Sequence, residues 1–489
     1  MKKRFKPTIT FVLVVLSIAM LYSCYWVMRN YSGVTLQQLV FHANINLNAA
    51  NMDVFYKFLI EMVVVIVLSI IAIWVLHFLI VKLRKAKKLD FAIKISLKAA
   101  SITTILVFTF TIAVIANEIK AVDYFVNVNN PTVLYEGYYR DPTETKITFP
   151  EKKRNLIHLV LESMETSFMD YNNNGESVNL IPNLTKLMED NFTVSKTGAY
   201  DGLDQAPLTN WTVASLVAQT SGVPLNVYTD RNNYGTDGVF LPGITNLGDI
   251  LSSNGYRNIF LMGSEASFAG RDIYYKTHGN YEIMDYDYMV EKNVIPSDYY
   301  EFWGYEDLKL FSQAKKIVDD LANSDQPFNL KILTVDSHFP DGYMDDSCSE
   351  PFDSEYANSI YCSDQKIGEF IEWFSNHPLY EDTTIVITGD HYTMNYSFAS
   401  NYNKEEQGIV NIIINSEKEI DSKFNKQATV LDIFPTILSS LNVEIEGDRL
   451  GLGTDLFSDK LTLVEYLGSE YFYDHISRKS DYYNDEFMK

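Results

Sequence analysis

Thr383–His391 reads TTIVITGDH. Thr384 to Thr388 are all β-branched, with no charge among them. Such a run predicts a strand buried on both faces, as in a parallel sheet. Gly389 ends the run and leaves Asp390 and His391 side by side at the strand's carboxyl end. Open α/β sheets place their ligands at that edge. A carboxylate beside an imidazole offers donors for a divalent metal there. Taken alone, GDH is better accounted for by a strand followed by a polar turn. The assignment therefore depends on what other segments bring to the same edge.

Asn155–Leu161, NLIHLVL, repeats the design: a continuous apolar run with Glu162 and Ser163 at its tip. His158 falls inside that run and reads as a hydrogen-bonded core residue. Phe328 to Val335 is a third such strand, followed by Asp336, Ser337 and His338; Phe339-Pro340-Asp341-Gly342 then forces a turn. Further strands are expected at Tyr256 to Met262 and Ile409 to Ile414, with a short one at Phe192 to Lys196. Helical spacing marks Ile181 to Asp190, Trp211 to Thr220, Ile244 to Ser253, Glu306 to Ala322, Tyr356 to Phe374 and Ala428 to Leu441. Strands alternating with helices predict a doubly wound α/β domain. Gly222 and Pro224 close the second of these helices, and Thr212 lies at or near its start. Thr212 there is either an N-cap or a nucleophile for phosphate, since free N–H groups at a helix N-terminus favour an anion. Arg271 is either a phosphate grip through its planar fork or half of a surface salt bridge.

The 489 residues exceed one core and imply two or more units. Acidic side chains number 63 against 40 basic, a net charge of −23, which disfavours a nucleic-acid partner. Basic residues crowd the first hundred positions. Three stretches there, Thr8 to Met28, Phe58 to Val81 and Ile95 to Ala116, reach the roughly 20 apolar residues a bilayer span requires. Lys2, Lys3, Arg4 and Lys6 precede the first stretch. Lys82, Arg84, Lys85, Lys87 and Lys88 lie between the second and third. The positive-inside rule puts both groups in the cytoplasm, and everything beyond Ala116 outside. Glu61 near a span end reads as an interfacial residue. The expected organisation is a membrane region over 1–116, a juxtamembrane linker over 117–153, an α/β domain over 154–445 and a tail over 446–489. Tyr466 to Lys489 reads as surface decoration. Cys348 and Cys362 bracket a loop of about 15 residues; outside the cytoplasm a disulfide between them is plausible, worth about 3 kcal/mol.

Separate strand ends thus offer Glu162, His338 and Asp390 with His391, and a helix start offers Thr212. Three oxygens and one nitrogen suit Mn²⁺ or Mg²⁺, with Zn²⁺ also compatible. A threonine hydroxyl is a weak nucleophile at neutral pH, and a metal would lower its pKa. Spacing alone does not make these side chains converge.

Taken in order, NLIHLVLES, PNLTKL, TNWTVASLVAQTSGVPL, DSHFPDG, CSDQKIGEFI, TTIVITGDH and ATVLDIFPTIL resemble the sulfatase/alkaline-phosphatase superfamily. The resemblance is to its membrane phosphoglycerol transferases and lipoteichoic acid synthases, over about Asn155 to Leu441. It implies an alkaline phosphatase-like doubly wound sheet behind an N-terminal transmembrane region. It implies Glu162, Thr212, Asp390 and His391 as metal ligands and Thr212 as nucleophile, with Thr209 a rival three residues upstream. His338 then assists at the substrate phosphate and Arg271 contacts the head group. The C/S-x-P-x-R motif of true sulfatases does not occur in the sequence, which argues against sulfate-ester hydrolysis. Three spans are counted where five are common in these synthases.

The implied reaction is metal-dependent transfer of phosphoglycerol from phosphatidylglycerol to a hydroxyl of an envelope glycan or teichoic-acid-like polymer. It would proceed through a phosphothreonine, on the outer side of a multi-pass protein of the inner or plasma membrane. Phosphoethanolamine transfer to lipid A or glycan, and a catalytically inactive envelope-binding protein, are the competing readings.

Overall fold

The computed structural model describes residues 5–30, 34–43, 52–85, 106, 108–197, 200–228, 234–395, 398–402, 407–418 and 424–489. It divides into two compact units, Met1–Leu36 with Asn51–Tyr124, and Gln37–Ala50 with Phe125–Lys489. Three helices open the chain: α1 (Phe5–Asn30), α2 (Leu36–Ala43) and α3 (Met52–Lys85).

The first unit contains α1 and α3. The rings of Tyr22 and Trp26 on α1 lie 6.3 and 5.0 Å from Phe58 on α3. Tyr22 donates a 2.6 Å hydrogen bond to Glu61, so the acid in this apolar helix has a partner. Among the described residues one helix, Phe55–Val75, is long and apolar enough to cross a membrane, by length and composition. Most of the third expected stretch, residues 95–105 and 107, lies outside the described residues; residues 108–116 fall in a shorter apolar helix, Phe108–Glu118.

The second unit is built on a six-stranded sheet. Its strands are β1 (Asn155–Leu161), β2 (Arg257–Met262), β3 (Glu282–Met284), β4 (Phe328–Leu333), β5 (Thr383–Gly389) and β6 (Asn411–Ile414). They lie in the order β6-β5-β1-β4-β2-β3. The apolar runs quoted above form the centre: β1 pairs in parallel with both β5 and β4. Every residue of β5 is buried, as an unalternating β-branched run requires. The register sets Leu161 opposite Gly389. Glu162 and Asp390 therefore leave the sheet at the same level.

The sheet is not wholly parallel. β6 runs antiparallel to β5. Among the described residues, the connection between them holds a 3₁₀ turn, Phe398–Asn401, and no crossover helix. A parallel return needs such a crossover. β3, three residues long at the other edge, is too short to leave a pattern in sequence.

Both faces are covered. Ile157, Leu159, Leu161, Ile385 and Ile387 point to one side and are fully buried. They share a core with Leu310, Phe311 and Val318 of one helix (Asp307–Leu321) and Ile367, Phe370 and Phe374 of another (Glu355–Ser375). Each fully buried Ile or Leu stabilises the fold by about 1.5–3 kcal/mol. On the other side the helix that begins at Thr212 (Thr212–Ser221) is stitched to β5. Thr388 donates to the Gln219 amide oxygen at 2.7 Å, and Gln219 Nε2 donates to the Gly389 carbonyl at 3.0 Å. His158 faces this side and bonds Thr388 and Lys331, at 3.2 and 3.0 Å.

Two stretches differ from their sequence reading. The segment read as a linker carries two helices, Ala121–Asn129 and Leu134–Tyr138. A short strand at Ile147–Thr148 pairs with Glu444–Ile445. The tail read as surface decoration is packed: Phe472, Ile476, Tyr483 and Phe487 are buried. Tyr483 and Phe487 pack their rings against Tyr135. The aromatics of the tail mesh with those of the linker, a pairing that neither segment's own residues declare. Cys348 and Cys362 are joined as a disulfide.

Candidate active site

Thr212 is the first residue of its helix, and Trp211 is the N-cap. The Thr212 hydroxyl is therefore not spent on capping. It donates to Glu162 Oε2 at 3.2 Å and lies 3.4 Å from His391 Nε2. At the far end Gly222 takes φ +64° and donates its N–H to the Ala218 carbonyl at 2.9 Å, a left-handed C-cap.

Glu162, Asp390 and His391 are all buried, and one ligand atom from each lies within 4.8 Å of the others. His391 Nε2 is 3.6 Å from Glu162 Oε1 and 3.3 Å from Asp390 Oδ2. The ring's other nitrogen, Nδ1, meets the Tyr392 carbonyl at 2.8 Å. That bond holds the proton on Nδ1 and turns the Nε2 lone pair towards the cluster. Asp390 Oδ1 is anchored by the N–H groups of Ser163 and His391, both at 2.7 Å. Its Oδ2 is buried without a hydrogen-bond partner. Buried polar atoms are seldom left so. An orphaned carboxylate oxygen facing a second carboxylate and a free imidazole nitrogen fits a bound cation.

The electrostatics agree with that fit. Burial pushes Asp390 up to about 7, and the neighbouring Glu162 charge adds to the rise. Burial also works to raise Glu162, but His338, His391 and the Ser163 and Thr212 hydroxyls outweigh it and leave its pKa lowered. Burial disfavours a charged His391, yet Asp390 and Glu162 raise its pKa overall. Two carboxylates crowded out of water are relieved by positive charge between them.

Ser163 escaped the sequence reading. Its hydroxyl donates to Glu162 Oε1 at 2.7 Å and its backbone sits at φ +51°. A non-glycine residue held in that region marks a site where backbone strain is tolerated for position. The only signal was its place beside a strand-end acid. Gly389 permits the other half of the junction: a Cβ there would come within 2.1 Å of the Met164 carbonyl oxygen.

His338 follows β4 and is half-buried. Its Nδ1 bonds the Phe339 carbonyl at 2.8 Å. Its ring packs at 4.8 Å from Trp303 and 6.2 Å from Phe302. Burial lowers its pKa, and the charges of Glu162, His391 and Arg271 act on it. These aromatic neighbours belong to a segment without periodicity and were not read from sequence.

Arg271 is buried and makes no salt bridge among the described residues. Its Nε donates to the Phe268 carbonyl at 3.1 Å. One terminal nitrogen donates to the Glu265 carbonyl and the Ser264 hydroxyl, at 2.7 and 3.2 Å. Burial lowers its pKa to about 10, partly offset by Asp285 and Glu162. Thr209 is buried and gives its hydroxyl to the Ala206 carbonyl at 2.7 Å. It is thus spent on its own turn, whereas Thr212 faces the acids.

A sulfatase family model matches residues 154–443. Phosphoglycerol transferase I of Escherichia coli is 32% identical over 334 residues, covering 66% of this chain and 41% of that protein. The protein of the same name from Shigella boydii is 31% identical over the same shares. The chain thus matches about two fifths of the length of these curated relatives. The crystal structure of the lipoteichoic acid synthase LtaP from Listeria monocytogenes shares the fold. It superposes with a TM-score of 0.52 at 21% identity, over 63% of this chain and 77% of that one.

Proposed function

The chain belongs to the sulfatase family, and from that premise we propose that it transfers a phosphoglycerol group from phosphatidylglycerol to a hydroxyl of an envelope glycan or teichoic-acid-like polymer. The curated relatives named phosphoglycerol transferase support the choice of head group. The observation that carries the chemistry is the Thr212 hydroxyl, within 3.2 Å of Glu162 and 3.4 Å of His391 in a buried acidic cluster.

Glu162, Thr212, Asp390 and His391 would hold the metal, Mn²⁺ or Mg²⁺ by their oxygen-rich set, with Zn²⁺ compatible. When bound, the ion supplies positive charge that acidifies the threonine hydroxyl and offsets the negative charge of the phosphate. The rest is the work of the chain. Thr212 Oγ forms a bond to phosphorus as the bond from phosphorus to the diacylglycerol oxygen breaks. Thr212 gives up its hydroxyl proton, a proton is delivered to the departing oxygen so that diacylglycerol leaves as an alcohol, and glycerol phosphate remains esterified to Thr212. The acceptor hydroxyl then attacks phosphorus, loses its proton, and releases Thr212. His338, protonated beside the phosphate charge, donates from Nε2 to a phosphate oxygen, while its Nδ1–H stays on the Phe339 carbonyl and its ring packs against Trp303. Arg271, with part of its fork engaged, presents its remaining N–H groups to the head group. In this reading the apolar helices make the protein multi-pass in the inner or plasma membrane, and the catalytic unit works outside, beside its lipid donor.

Thr212→Ala in the full chain is expected to release no diacylglycerol from phosphatidylglycerol while unfolding at the wild-type temperature. Full turnover in that variant overturns the nucleophile. Head-group-labelled phosphatidylglycerol should pass its label to polymer; transfer from labelled phosphatidylethanolamine instead would reassign the substrate.

A further inference from the structure

The helix that bears Thr212 begins without a side-chain cap. Trp211, its N-cap, is extended, 4% exposed, and makes no capping hydrogen bond. Something else must hold the entry to this helix. The contact comes from far away in sequence. Helix α2 lies between the first two apolar helices of the chain, yet from Gln37 onward it belongs to the compact unit that contains the site.

Two of its side chains reach the two residues before Thr212. Gln38 Nε2 donates to the Asn210 carbonyl at 3.1 Å. Phe41 is fully buried, its ring 5.5 Å from Trp211 and 5.6 Å from Tyr234. Gln37 bonds the Tyr228 hydroxyl on the same side. His42 stands 6.5 Å from Phe268, the residue whose carbonyl anchors Arg271. The helix dipole and the hydroxyl at its tip are useful only if the tip is fixed, and a displacement of an ångström there can cost about a hundredfold in rate.

We propose that α2 is a buttress for the nucleophile. Gln38 and Phe41 are positioning residues that clamp Asn210 and Trp211 and so hold the Thr212 hydroxyl against Glu162 and His391. The site is then completed by a segment that precedes the α/β domain, which alone lacks it. This rests on Thr212 being the nucleophile.

The test uses the full chain in phosphatidylglycerol vesicles, measuring diacylglycerol release and thermal unfolding in parallel. Phe41→Ala should lower kcat by about tenfold or more, with KM changed by less than about threefold, at temperatures where the variant is folded. Phe41→Leu should recover most of the loss. Gln38→Ala, which removes one hydrogen bond and little packing, should lower kcat by about threefold. Leu39→Ala, on the exposed side of the same helix, should match wild type. Wild-type kcat in folded Phe41→Ala and Gln38→Ala overturns the proposal, as does activity that falls only with the folded fraction. If Phe41→Ala does not fold, Gln38→Ala decides by the same criterion. An active Thr212→Ala would sink the catalytic reading itself; an inactive Thr212→Ala beside unaffected α2 variants would sink the buttress alone.

Discussion

Two threonines three positions apart separate position from chemistry. Thr209 and Thr212 are both close to the start of one helix, and residue type alone cannot rank them. The fold ranks them by partners: an adjacent carbonyl for Thr209, an acid and an imidazole for Thr212. Thr209→Ala should therefore keep its turnover per folded molecule and lose about 1 kcal/mol of stability with its buried hydrogen bond. Urea unfolding beside a release assay measures both. An inactive, well-folded Thr209→Ala would reopen the choice. Asp390, His391 and Glu162 were legible because each ends an apolar run. Ser163 was not, because its contribution is a backbone angle and two hydrogen bonds, neither of which a residue name declares.

Elements carry the next layer. Asp364, in the helix Glu355–Ser375, accepts the N–H groups of Asn183 and Leu184 at 2.9 and 2.8 Å. It thereby caps the helix Pro182–Asp190, whose own N-cap residue, Ile181, offers no side-chain bond. Burial raises the Asp364 pKa to about 6 despite those donors, against about 3.9 unfolded. The folded state holds the proton more tightly, so this group's contribution is full below about pH 4 and is lost as pH rises through about 6. Asp364→Asn should flatten the wild-type fall in melting temperature across that window; an unchanged slope would assign the pH dependence elsewhere. The helices Asp307–Leu321 and Glu355–Ser375 and the central strands were legible from their patterns to within a few residues, whereas short helices such as Arg271–Thr277 were not. The direction of β6 was not, since it depends on how the chain returns rather than on the strand's own residues.

At the scale of the molecule, the last residues act as a clasp. Phe487 is buried against Tyr135, Tyr139, Tyr482 and Tyr483. Phe487→Ala should cost about 3–5 kcal/mol, with kcat per folded molecule retained, because none of these rings touches the acidic cluster. A melting temperature within a degree of wild type would return the tail to the surface. By itself the sequence determined the apolar runs, the acids and imidazoles at their ends, the helix periods and the family likeness, because burial and periodicity are local properties of a chain. Only the tertiary structure decided which hydroxyl meets the cluster, that Arg271 is buried, that the tail closes on the linker, and that α2 braces the Thr212 helix. Those depend on contacts between segments tens to hundreds of residues apart, where side-chain pairing rather than local pattern sets the geometry.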